Sequence, residues 1–296
     1  MIFLNDKPGQ LCNQLWYHAP LIARALKYEV SLISLYFEDN FHHFENLDHT
    51  PSIKFGITKI QILDIYLRKI ILNVAKKLPQ KLLKTMNLRV DKYRWRNEIW
   101  SDDQLQDKKL IFFTGNGTRR NDTELLTEYH SEIKNIFLPK IISRNKVENI
   151  MSKYKGNSTI VGVHIRRGDY AEFLNGVYYY DDSTYINYMR QIELNLSQNG
   201  QKVSFLICSN DLIKLSNFDH LNIFIIPDAT AIEDIYALSL CNYIIGPPST
   251  FSMWASYIGK TPLKFIQPKH DQISLNEFSV IIAQDIFANG KTLVHV

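Results

Sequence analysis

Two guanidinium groups, an imidazole and a carboxylate fall together in the run His164-Ile165-Arg166-Arg167-Gly168-Asp169-Tyr170. A diphosphate gives such a cluster a purpose, because guanidinium forks pair bidentately with phosphate oxygens and stay charged at any cellular pH. Gly168 lets the backbone turn sharply or approach a ligand closely, and Asp169 can orient an arginine or accept a proton. The plainer alternative is a strand-end ion pair of Arg166 or Arg167 with Asp169. Two arginines against one acid leave a positive excess, which favours the anionic ligand.

Other runs offer complementary groups. In Ile245-Gly246-Pro247-Pro248-Ser249-Thr250-Phe251-Ser252-Met253-Trp254 a strand ends, two prolines stiffen the chain and hydroxyl residues open a helix. The free N–H groups and partial positive charge of a helix start bind anions, although Ser249 or Thr250 serves equally as a plain N-cap. Phe251, Met253 and Trp254 read as core by themselves. Ser209-Asn210-Asp211 follows an apolar strand and can hydrogen-bond a ribose or a base edge, or act as ordinary turn chemistry. Glu233-Asp234 open the next helix, where they either hold ribose hydroxyls or complement the dipole. Near the amino end, Gly9, Gln10 and Asn13 belong to a strand-to-helix loop whose amides are expected to face a cleft between domains, or simply to cap the helix. No Asp-x-Asp, P-loop, His-Glu-x-x-His or Gly-x-Ser-x-Gly occurs, so no metal site and no serine-hydrolase elbow is expected. His42 and His43 have no neighbouring ligand partner in sequence and read as surface or packing residues.

The elements that must position these groups follow from periodicity. Strand-like runs at 159–165, 203–208, 221–226, 243–245 and 263–266 alternate with helical patterns at 184–197, 212–218, 232–240 and 251–258. That alternation predicts a parallel sheet covered on both faces, with ligands outside the carboxyl ends of its strands. The first half opens with a strand, helix, strand unit at 1–4, 13–27 and 30–35; residues 40–58 show no clear period. A strand at 110–113 leads into a Gly-x-Gly turn, and helices follow at 124–137 and on to about 155. Residues 1–155 and 156–296 are therefore read as two α/β domains.

Between Lys59 and Arg89, Ile62, Leu63, Tyr66, Ile70, Val74, Leu78 and Leu82 recur at helical spacing among Arg68, Lys69, Lys76, Lys77, Lys81, Lys84 and Arg89. This basic amphipathic segment is either a solvated face over a core helix or a surface that rests on anionic lipid. A chain of 296 residues, 45% hydrophobic, can bury cores for two domains, and a net charge of only +4 does not mark a nucleic-acid binder. Three isolated cysteines suit neither a disulfide framework nor a Cys-based zinc site, and no secretory leader or spanning stretch is recognisable. A cytoplasmic protein is expected, peripheral at most to the inner face of the membrane.

Taken in order, three of these stretches resemble the inverting alpha-1,2-fucosyltransferase family that uses GDP-fucose (glycosyltransferase family 11). They are Gly9 to Leu15, Val163 to Tyr170, and Asp228 through Ile232-Glu233-Asp234-Ile235-Tyr236 to Trp254. His-x-Arg-Arg-x-Asp is shared among several fucosyltransferase types, and the later stretch points to the alpha-1,2 group. The resemblance implies two Rossmann-like lobes of the GT-B type, each with a parallel sheet, with donor in the second lobe and acceptor against the first. It implies that Arg166 holds the diphosphate with Arg167 and His164 assisting, and that Ser249, Thr250, Phe251 and Ser252 meet the phosphates or nucleotide from the other side. Asp169, Glu172 and Asp6 are candidate bases. The substrates implied are GDP-fucose and a galactoside, either an oligosaccharide or a lipid-linked polysaccharide, with no cofactor. Gln10 and Cys12 stand where the family usually has glycines, and Pro247-Pro248-Ser249-Thr250 replaces its Asn-Ser-Ser pattern. Those departures leave open a different GDP-sugar or linkage, or a silent sugar-nucleotide-binding module.

Overall fold

A computed structural model describes residues 1–4, 8–37, 39–56, 88–92, 110–114, 122–156, 158–198, 200–266 and 272–293, with isolated positions between 63 and 77. The chain divides into two compact units, Met1–Leu138 and Pro139–Val296. The second unit thus begins ahead of the helix that sequence assigns to the first domain.

The first unit carries a five-stranded sheet in the order β3-β2-β1-β5-β4. Its strands are β1 (Ile2–Leu4), β2 (Leu32–Ser34), β3 (Ile53–Phe55), β4 (Leu88–Lys92) and β5 (Leu110–Thr114), and every pairing is parallel. Helix α1 (Leu11–Lys27) crosses from β1 to β2, and Leu15, Ala19, Leu21, Ile22 and Ala25 on it are fully buried. Arg24 on α1 pairs with Asp122, which precedes α2 (Thr123–Glu128). The helix expected over 124–137 is interrupted at Tyr129, so α3 (His130–Ile136) is a separate element.

The second unit holds the more regular sheet, ordered β10-β9-β6-β7-β8. Its members are β6 (Thr159–Ile165), β7 (Val203–Ser209), β8 (Ile223–Phe224), β9 (Tyr243–Gly246) and β10 (Leu263–Phe265), all parallel. The helices are α4 (Ile141–Met151), α5 (Asp182–Ser197), α6 (Ala231–Ser239) and α7 (Thr250–Gly259). Central β6 is buried from its second residue onward, as a strand covered on both faces must be. Gly162 on β6 is closely covered by α6 and the chain just beyond it, since an added Cβ would lie 2.5 Å from Cδ2 of Leu238 and 3.2 Å from Sγ of Cys241. Helix α6 thus lies directly on the strand that leads to the arginines.

Strand order reverses at β6: the chain passes outward to β7 and β8, then returns to β9 and β10 on the other side. The loops after β6 and β9 consequently leave neighbouring strands toward opposite faces, which opens a crevice between them at the carboxyl ends.

Several expectations are corrected. Residues 212–218 form only a short 3-10 turn at Leu215–Phe218, because Leu212 is 96% exposed and offers no apolar face to bury. Arg89, read as the end of the basic helix, lies in β4. Strand β3 falls in the stretch that showed no period, and a hairpin of β11 (Ile281–Ala283) and β12 (Ile286–Phe287) closes the chain beyond the sheet. The Gly-x-Gly turn at 115–117 and most of the basic segment lie outside the described residues. Among the described residues no helix is long and apolar enough to cross a membrane.

Candidate active site at the switch point of the second sheet

The loop after β6 is built around Gly168, whose φ of +62° is one that side-chain-bearing residues rarely adopt. This turn separates the roles of the two arginines. Nη2 of Arg166 donates to Oδ2 of Asp169 at 3.0 Å, and its guanidinium lies over the Tyr170 ring, 5.4 Å from the centroid. Arg167 turns instead to Asp182 in the first turn of α5. The count of two arginines against one acid is therefore corrected: Asp182 supplies a second carboxylate, and each guanidinium has its own acidic partner. Asp169 remains more than half exposed, whereas both arginine side chains are largely covered.

His164 faces inward. It is buried, its ring stacks on Phe251 at 4.8 Å, and Nδ1 lies 3.1 Å from the hydroxyl of Ser252, itself wholly buried in α7. Burial, reinforced by the nearby Arg166 charge, pushes the imidazole down to about 3, so it is neutral at cellular pH. His164 thus contributes no cation to the cluster; it packs β6 against α7. The strands are pressed together here as well, since a Cβ on Gly246 would lie 2.7 Å from the His164 carbonyl oxygen.

Helix α7 points its amino end into the same crevice. Ser249 is its N-cap, accepting from the Phe251 amide at 3.2 Å, while Thr250 and Phe251 are partly exposed. Tyr170 joins the two loops: its hydroxyl donates to the Pro248 carbonyl at 2.6 Å, and its ring stacks on Phe173.

The loop after β7 supports the arginines. The side chain of Asn210 accepts from the Arg167 amide at 2.8 Å and donates to the Arg167 carbonyl at 3.2 Å, so this residue clamps backbone. Ser209 and Asp211 close their own turn, the Asp211 amide donating to Oγ of Ser209 at 3.1 Å. On α6, Glu233 completes a capping box with Thr230 and pairs with Lys146 of α4. The next residue, Asp234, lies beside Cys208 at the end of β7, and burial pushes its carboxyl up to about 7.

The amino-terminal loop belongs to the first unit. Gly9 has φ +51°, and a Cβ there would lie 2.5 Å from Nδ2 of Asn13, which explains the one glycine kept in this loop. Gln10 and Asn13 are exposed at the start of α1. Gln14 behind them is buried, donating to the Gly9 carbonyl at 3.2 Å and accepting from Asn40 at 2.9 Å. One turn on, Nδ1 of His18 meets the Gln14 carbonyl at 2.6 Å and Nε2 meets the Ser34 hydroxyl at 2.7 Å. Asp6 lies outside the described residues. Sequence reasoning did not single out Asp182 or Tyr170 for a part in the site. The doubled acid Asp181-Asp182 was the available signal for the first, because a helix needs only one of them as its cap.

Fold and site together define the class: an α/β protein whose polar groups gather outside the carboxyl ends of a parallel sheet, at its switch point. A family model described as Glycosyl transferase family 11 matches residues 126–279, just over half of the sequence, and the chain belongs to that family, the alpha-1,2-fucosyltransferase family. Solved fucosyltransferases share the fold. A variant of Arabidopsis thaliana FUT1 in complex with GDP aligns with a TM-score of 0.56 at 11% identity, covering 100% of this chain and 79% of that one. POFUT1 in complex with GDP-fucose aligns with a TM-score of 0.55 at 12% identity, covering 90% and 96%. The alpha-1,6-fucosyltransferase NodZ, soaked with GDP-fucose, gives 0.51 at 15% identity, covering 94% and 96%. At these identities the likeness is one of fold. Comparison with curated protein sequences finds no match.

Proposed function

We propose that this enzyme transfers L-fucose from GDP-fucose to the 2-hydroxyl of a galactoside, with inversion and without a metal ion. The convergence of Arg166 and the amino end of α7 on the switch-point crevice carries the reading, supported by the GDP-fucose and GDP bound in structures of the same fold. In this proposal the units form the two lobes of a GT-B enzyme, the second taking the donor and the first the acceptor.

The acceptor hydroxyl attacks the anomeric carbon of fucose as the bond to the diphosphate breaks, through an oxocarbenium-like transition state. Negative charge accumulates on the departing GDP. A fixed guanidinium at Arg166 and the free amides at the start of α7 stabilise that charge, a task metal ions perform in other enzymes. Neutral His164 keeps Ser252 and Phe251 in place beneath them. Ser209 and Asp211 face the nucleotide, and Asp234 accepts from ribose hydroxyls. Asp169, exposed beside Arg166, is our candidate to take the acceptor proton.

The test is Arg166→Ala. Removing the guanidinium lowers turnover on the order of a hundredfold or more, while EDTA leaves wild-type transfer intact. An undiminished variant, or activity lost to EDTA and restored by a divalent ion, would sink the mechanism.

We also propose a peripheral resting place on the cytoplasmic face of an anionic membrane. Leu63, Tyr66, Ile70 and Val74 are exposed, between 44% and 63%, at the helical spacing expected of a buried face. Exposed Lys69 and Lys77 in the same stretch provide charge complementary to acidic headgroups. Charge reversal at these two lysines abolishes co-sedimentation with phosphatidylserine vesicles; unchanged co-sedimentation rejects the contact.

A further inference from the structure

Arg167 is held from several directions at once. Asn210 binds both its amide and its carbonyl, and Asp182 takes its guanidinium. Asp182 is available for this because its neighbour does the capping. Asp181 accepts from the Thr184 amide at 2.8 Å, the Thr184 hydroxyl at 2.7 Å and the Ser183 hydroxyl at 2.9 Å, and the Thr184 hydrogen bonds hold its carboxyl below the usual range. The two oxygens of Asp182 are thereby left for other elements. Oδ1 meets Arg167 and Oδ2 accepts from the side-chain amide of Asn217. Asn217 lies in the 3-10 turn after β7, anchored by buried Phe218 beside it. One carboxylate therefore ties the loop after β6, the start of α5 and the loop after β7.

We infer that Asp182 is a positioning residue for the transfer reaction, acting through Arg167. This rests on the function proposed above. With Arg167 drawn to Asp182, the backbone before it is fixed between Ile165, the last residue of β6, and a residue gripped at both its amide and its carbonyl. Arg166, which occupies that gap, then presents its guanidinium to the diphosphate from one place. Without the carboxylate, Arg167 retains its charge but loses its direction and competes for the same phosphate oxygens. Fixed placement of charge before reaction is what makes such groups effective in catalysis.

The experiment measures GDP binding by calorimetry, and kcat and KM for GDP-fucose with a galactoside acceptor, in the wild type, Asp182→Asn, Arg167→Gln and the double variant. Asp182→Asn, folded by circular dichroism, is expected to bind GDP at least fivefold more weakly and to lose at least tenfold in kcat. In the Arg167→Gln background the same change adds less than a twofold loss, because its route is gone. A purely structural role would lower the melting temperature and leave kcat within twofold of the wild type, which overturns the inference. Losses that multiply in the double variant overturn it too. If Asp182→Asn does not fold, Asn217→Ala takes its place, with a threefold or greater loss in kcat expected and none overturning. Failure of the wild type to bind GDP would reject the underlying function instead.

Discussion

The hydroxyl of Tyr170 donates to the carbonyl of Pro248 at 2.6 Å, so a residue of the loop after β6 holds the loop that opens α7. The same ring lies beneath the Arg166 guanidinium. Tyr170→Phe keeps the ring and removes the donor, leaving a buried carbonyl without its partner at a cost of about 1–3 kcal/mol. A melting temperature lowered by roughly 2–4 °C for each kcal/mol should accompany weaker GDP binding. Stability lost with GDP affinity unchanged would show that the link serves the fold alone.

Gly246 is a close contact between β9 and β6. Its missing side chain makes room for the His164 carbonyl, which a Cβ would approach to 2.7 Å. Backbone cannot swing aside as a side chain can, so Gly246→Ala should part the strands and cost about 1–3 kcal/mol. Thermal melting checks this, and an unchanged melting temperature would contradict the packing described.

The ribose-binding role proposed for Asp234 would make donor binding and stability respond to pH in opposite senses. Burial raises its carboxyl from 3.8 to about 7 in the folded chain. Between those values the folded state holds a proton that the unfolded state has lost, so stability falls as pH rises through about 7. Asp234→Asn escapes this penalty and should gain on the wild type between pH 4 and pH 7, by at most roughly 4 kcal/mol, and gain nothing further above that. GDP affinity of the wild type should rise over the same range as the carboxylate forms. Parallel stability curves for the two proteins would refute the titration.

His18 behaves in the reverse manner. It is wholly buried, and burial lowers its imidazole from 6.5 to about 4. As pH falls below 6.5 the unfolded chain takes up a proton that the folded chain refuses, so stability is lost toward acid, roughly 2 kcal/mol at pH 5. His18→Gln should flatten the dependence of urea-unfolding free energy on pH between 6.5 and 4. An unchanged slope would mean that the ring ionises in place.

Much of the second unit is legible from sequence because its strands are buried on both faces and read as unbroken apolar runs. Val161, Val163 and Ile165, with Phe205 and Ile207 beside them, leave little else for 159–165 and 203–208 to be. The loops that hold the candidate site then follow from the rule that ligands bind at strand carboxyl ends. What escaped depends on partners distant in the chain. That Asn210 would spend its amide on the Arg167 backbone, or that Asp182 would pair with Arg167, follows only once the β6–β7 register brings those loops side by side. Strand β3 was hidden for a related reason: Ile53-Lys54-Phe55 is too short to establish a period, and its pairing with β2 defines it. The 3-10 turn at 215–218 looked helical because Leu212 and Ile213 resemble an apolar face, but nothing packs over Leu212.

The two-point grip of Asn210 on Arg167 also determines how portable the arginine motif is. Grafting His164 to Asp169 onto the end of a strand in another scaffold would transfer the guanidinium groups without the side-chain amide that grips the Arg167 backbone or the carboxylate that aims Arg167. A recipient sheet would therefore need three grafts from three strand ends and helix starts, including Asn210 and Asp182, before the borrowed loop took its shape.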